Sequence, residues 1–139
     1  MEQETKAFLD ENNWLEIVLG SRITEKDYIA LITRVYDLAL QLEDKDFPVK
    51  LLVDCSHLME MEKIASELAV KGTRDLQFNQ IASFGLDPKY IPLLQIILSE
   101  TAKQVAAQEG SPAGITPQDL IKDFPTREEA ERWLENIVT

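Results

Sequence analysis

One cysteine, Cys55, and one histidine, His57, are all that the 139 residues contain of either type. A lone cysteine excludes an intrachain disulfide and fits a reducing compartment. One thiol and one imidazole, with only carboxylates to complete a shell, argue against a zinc centre, and no cofactor is expected. The five glycines, at 20, 72, 85, 110 and 114, are isolated from one another, so there is no phosphate-cradling loop. Long apolar runs are missing too: the richest, Ile91 to Leu98, is less than half of the roughly 20 residues that a membrane span needs. Met1 to Asn13 is polar and acidic and does not read as a signal peptide. Basic charge is scarce. The 14 Lys and Arg stand against 25 Asp and Glu, a net of −11, and such a surface repels phosphate backbones and anionic headgroups. Nucleic acid and membrane are therefore not expected partners, and the expected location is the cytoplasm.

What the chain does contain is the patterning of one small α/β domain spanning residues 1–139. Val49, Leu51 and Val53, with Leu52 among them, form a short apolar run that ends at Asp54-Cys55-Ser56-His57. A run of this kind reads as a strand buried on both faces. The carboxyl end of such a strand is where open α/β sheets hold their ligands.

Around it the periods alternate. Lys6 to Leu9 and Trp14 to Leu19 flank Asp10-Glu11-Asn12-Asn13, a hairpin turn in which Asn tolerates positive φ. Arg22-Ile23 is expected to prolong the sheet. Thr24 and Asp27 have capping-box spacing ahead of a helix whose stripe is Tyr28, Leu31, Ile32, Val35, Leu38, Ala39 and Leu42. A second helix spans Glu62 to Gln77, and Ile81, Ala82, Phe84 and Leu86 form a third internal strand. Pro92 would clash with the carbonyl of Pro88 in a regular helix, which predicts a loose turn from Asp87 to Ile91 and a helix from Pro92 to about Ala107. A loop over Gln108 to Thr116, a strand over Leu120 to Phe124 and a capped terminal helix complete the chain. The order β-β-α-β-α-β-α-β-α implies a mixed, mainly parallel central sheet with helices packed over it.

Leu19-Gly20, Ile23-Thr24, the amphipathic helix and Leu51-Leu52-Val53-Asp54-Cys55-Ser56 together resemble the STAS fold, that of sulfate transporters and anti-sigma factor antagonists. Phe124-Pro125-Thr126-Arg127-Glu128-Glu129-Ala130, leading to Trp133-Leu134, is similar to the close of the SpoIIAA-like branch. The resemblance runs from about Trp14 to Ile137 and implies the fold and a regulatory, protein-binding role. Kinship of that branch to the lipid-binding SEC14 fold implies the alternative of a carrier. Antagonist-type members carry a phosphorylated Ser in an Asp-Ser-Ser-Gly-Leu motif, and Ser66 stands there within Ile64-Ala65-Ser66-Glu67-Leu68. Only Ser66 and Leu68 match the motif, Ile64 standing where the Asp would be and Glu67 where the Gly would be, and Glu67 would repel an incoming phosphate, so the antagonist phosphoswitch is not expected.

The residues themselves carry little catalytic signal. Ser56 and His57 are adjacent, which rarely gives the geometry of a nucleophile and its base, and no Gly-x-Ser-x-Gly elbow is present. Asp54, Ser56, His57 and Ser66 are assigned to ligand or partner binding, and no residue to catalysis. Ile91 to Leu98 is apolar on more than one side, so a neighbouring helix, a second copy of the chain or an apolar ligand must cover it. Leu93, Ile96 and Ile97 are assigned to an association surface, that of a symmetric homodimer. The expectation is a non-enzymatic cytoplasmic regulatory or interaction module; the alternative is a carrier or sensor of a small apolar or lipid-like molecule.

Overall fold

Asn13 has a φ of 60°, and the Asp10 carboxylate accepts from the amides of Asn12 at 2.8 Å and Trp14 at 3.0 Å. These contacts close the expected hairpin between β1 (Lys6–Leu9) and β2 (Leu15–Val18), which pair antiparallel. The structure, a computed structural model, describes residues 5–75, 78–96, 99 and 121–135. The hairpin is followed by β3 (Arg22–Ile23), α1 (Glu25–Asp44), β4 (Lys50–Asp54), β5 (Glu60–Met61), α2 (Lys63–Asp75) and β6 (Gln80–Phe84). A 3₁₀ turn at Pro88–Tyr90 continues into helix α3 at 91–96, and β7 (Ile121–Phe124) and α4 (Arg127–Glu135) follow. The expected loop over Gln108 to Thr116 and the helical stretch beyond residue 96 lie outside the described residues, apart from residue 99, which is helical.

The main sheet has the order β1-β2-β4-β6-β7, and β2, β4, β6 and β7 are all parallel neighbours. It is thus the mixed, mainly parallel α/β sheet that the alternating periods imply. Arg22–Ile23 does not prolong it. Both sides of β2 are already taken, by β1 and β4, so β3 pairs instead with β5 in a separate two-stranded ladder, where Arg22 reaches Glu60 at 3.7 Å. No apolar run marked β5, because Glu60 and Met61 lean on two residues only.

Side chains alternate across the sheet and define two cores. Ile17 and Leu51 point to α1 and α2, joining Leu31, Val35, Leu38, Leu42 and Ala65. Leu52, Ala82 and Phe84 point the other way, onto Ala130 and Leu134 of α4. Helix α1 starts where its capping box says: the Thr24 hydroxyl accepts from Asp27 N, and the Asp27 carboxylate accepts from Thr24 N at 3.0 Å. Those bonds, from backbone first, hold the Asp27 carboxyl below its ordinary range.

The Pro88–Pro92 conflict is resolved by tightening the backbone. Asp87 caps the turn, Pro88 takes an early position where no N–H is needed, and Ile91 N–H bonds the Pro88 carbonyl that Pro92 is unable to serve. The helix therefore begins one residue earlier than the prolines suggested.

The α4 face also carries buried charge. Glu16 on β2 is buried and pairs with Arg127 at the start of α4, while the buried Lys50 ammonium donates to the Leu134 carbonyl at its other end. A cation on the last carbonyls of a helix suits its negative end. The sheet thus grips α4 at both ends by polar contacts and in the middle by apolar ones.

Leu134 is fully buried between these anchors, whereas Leu40 on α1 is 58% exposed. Leu134→Ala is expected to cost about 2–5 kcal/mol and Leu40→Ala less than about 0.5 kcal/mol, measured by urea unfolding of both variants.

Candidate functional site

β4 ends inside the sheet, and its carboxyl end is built around Asp54. The carboxylate accepts from Ser56 N at 2.9 Å and from the Ser56 hydroxyl at 2.5 Å, and its other oxygen lies 3.8 Å from His57 Nε2. This is an Asx turn that aims the chain out of the sheet. Gly85, at the end of the neighbouring β6, has a φ of 74°, and a Cβ there would stand 2.9 Å from Ser56 Cβ. Only glycine lets the two strand ends come this close.

The structure therefore brings Asp54, Ser56 and His57 together. Asp54 stands between the other two. A nucleophile–base relay needs histidine to take the serine proton, whereas here Ser56 donates directly to the carboxylate. Ser66 is placed elsewhere, on α2, where its hydroxyl lies 3.4 Å from the Glu62 carbonyl of its own helical turn. Among the described residues no three His, Cys, Asp or Glu side chains gather as a metal shell would need.

Beside this turn, on the α1 side of the sheet, lies a cavity of about 190 Å³. Its floor is the sheet face, from Ile17, Leu51, Val53, Ile81 and Ile121. Tyr28, Leu31, Ile32 and Val35 of α1 form one wall. Leu58 and Met61 close the side next to β5, and Leu93 and Leu94 of α3 roof it. Hydroxyls from Ser83, Tyr28 and Tyr90 and the Cys55 thiol are the polar groups among these linings.

The residues of the expected association surface divide. Leu93 turns to the cavity, Ile96 is half exposed, and Ile97 lies outside the described residues. The surplus apolar arc read from Ile91 to Leu98 is thus partly a cavity roof. What the sequence did not reveal is the floor, which is assembled from five residues on one face of four separate strands.

Two groups on the lining resist ionisation. Burial, and then the nearby Asp123 and Asp54 carboxylates, push the Cys55 thiol up to about 12; burial, and then Tyr36, push the Tyr28 phenol up to about 12. Both stay neutral at physiological pH, so the cavity carries no charge from either.

The fold is SpoIIAA-like. The chain is similar in structure to a DUF3478-family protein with a SpoIIAA-like fold from Shewanella loihica PV-4, itself described as uncharacterized. The TM-score is 0.50 and the identity 18%, over 96% of this chain and 95% of that one. At that identity the likeness speaks for the fold alone. No protein-family model matches the chain, and no curated protein matches it. No helix among the described residues is long and apolar enough to cross a membrane.

The raised thiol and phenol give a pH dependence. In the unfolded chain Cys55 titrates near 9.0 and Tyr28 near 10.0, whereas in the fold each titrates at about 12. The folded state holds these protons longer, so the stability they contribute is complete below pH 9 and is lost as pH rises towards 12. Urea unfolding from pH 8 to about pH 11 should show stability falling, with a shallower fall in Cys55→Ala. Equal slopes in the two proteins would contradict the assignment.

Proposed function

We propose that the protein is a non-enzymatic, single-domain binding module that holds one small apolar molecule in the cavity between the sheet and α1. The observation that carries this reading is the cavity itself. Dry apolar cavities of about 150 Å³ bind benzene-sized molecules, and drug-sized ligands occupy roughly 300–1,000 Å³. At about 190 Å³ the space suits one ring or a short chain. A long-chain lipid exceeds it. A bound apolar molecule gains dispersion contacts with the apolar side chains of the lining.

The same helix supports a second, compatible reading as a regulatory contact. Leu93 and Leu94 roof the cavity, while Ile91 and Ile96 on α3 are 37% and 50% exposed. One helix thus faces the ligand on one side and solvent on the other. That is the arrangement of a sensor, in which a ligand steadies a surface offered to a protein partner or a second copy of the chain. The Asp54, Ser56 and His57 turn lies at the same sheet edge and belongs to that contact region; Ser66, on α2, is kept as a partner-contact residue without a phosphoswitch.

The test is a toluene titration followed by heteronuclear NMR. Shifts should concentrate on Ile17, Leu51, Val53 and Ile81 and saturate, and Val53→Phe, which puts a ring into the space, should remove them while the variant stays folded. Toluene shifts that do not saturate, or that survive Val53→Phe, would sink the reading.

A further inference from the structure

Of the polar groups on the cavity wall, Ser83 is backed by a carboxylate that stands outside the lining. Ser83 on β6 and Asp123 on β7 are register partners, and the Ser83 hydroxyl donates to Asp123 Oδ1 at 2.8 Å. Serine has one hydroxyl hydrogen, and a carboxylate accepts hydrogen bonds without donating them. The Ser83 hydrogen is therefore committed to Asp123, and the oxygen offers only lone pairs to whatever enters. Ser83 is 8% exposed, so water competes little for those lone pairs.

Two carboxylates, Asp123 and Asp54, stand at this end, and the one histidine, His57, lies 3.8 Å from Asp54 but outside the lining. Asp123 and Asp54 both act on the Cys55 thiol, which lines the cavity beside Ser83. No Lys, Arg or His is among the described lining residues. Lys89 stays outside the lining, its ammonium 5.2 Å from the Tyr90 ring centre and donating to the Met59 carbonyl. The Tyr28 and Tyr90 phenols contribute dipoles and no positive charge. An anion entering here would lose its water and meet carboxylates, whereas a donor group would meet an acceptor that already leans towards it.

We propose that the cavity selects a single-ring or short-chain apolar molecule headed by a hydrogen-bond donor, an alcohol or an amine, and rejects the carboxylate of the same body. This rests on the cavity's being a ligand site, as proposed above, and adds the chemistry of the head group. The Ser83 oxygen receives the donor, and the Asp123 carboxylate behind it fixes the direction of the serine hydrogen and favours positive charge.

Calorimetric titration with four probes of nearly one size tests it: toluene, 2-phenylethanol, 2-phenylethylammonium and phenylacetate. The alcohol and the ammonium should bind at least tenfold more tightly than phenylacetate. Asp123→Asn should shrink the preference for ammonium over carboxylate. Ser83→Ala should bring the alcohol down to the affinity of toluene, and it serves alone if Asp123→Asn does not fold. Toluene binding with phenylacetate as tight as the alcohol would overturn the head-group selection and leave the apolar site standing. Ratios unchanged in the folded variants would overturn it as well. Failure of all four probes, toluene included, would overturn both.

Discussion

β4 lies between β2 and β6, apolar on both faces, and every other element takes its place from that strand. Leu52 sends one face to α4, while Leu51 and Val53 send the other to α1 and the cavity. Burying both faces requires a layer of helix on each side of the sheet. The two layers are held differently. On the α4 side Ala130 and Leu134 reach zero exposure, and the layer is anchored by Arg127 to Glu16 and by Lys50 to the Leu134 carbonyl. On the α1 side the helix packs closely at Leu38, Leu42 and Val49 but stands off the sheet near its carboxyl edge, where the cavity opens.

That asymmetry leaves the cavity on the α1 side of the sheet. The turn at Asp54 uses its carboxylate to order Ser56 and to face His57, and Gly85 admits the turn against β6. The strands therefore end together beside Ser83, Asp123 and Cys55. Selectivity in such a place comes from exclusion: an apolar lining rejects hydrated molecules, a small volume rejects large ones, and carboxylates beside a lining that, among the described residues, carries no Lys, Arg or His disfavour anions.

Much of this architecture was legible in the chain. Thr24 and Asp27 announced the start of α1, Asp10 to Asn13 announced a turn in which an Asn takes positive φ, and Pro88 with Pro92 announced a turn over Asp87 to Ile91 ahead of a helix. These are local signals, each set by a few neighbouring residues. The β3–β5 ladder was illegible because Arg22–Ile23 and Glu60–Met61 find each other across 36 residues of intervening chain, and neither segment has a period of its own. Nothing local marks Glu16 and Lys50 as buried; their burial depends on partners on α4, more than 80 residues away in sequence. The apolar excess over Ile91 to Leu98 did point to an additional contact, and a ligand was one of the covers it left open. Its floor stayed hidden because it needs the register of four strands at once.

The account turns on a preformed, mainly apolar space beneath α3, and xenon probes that property without assuming any ligand. Crystals of the protein pressurised with xenon should show a bound atom ringed by Ile17, Leu51, Val53 and Leu93, with the surrounding side chains where they stand without the gas. An unoccupied position there, with side chains from α1 or α3 folded into the space, would contradict the claim that the cavity exists to be filled.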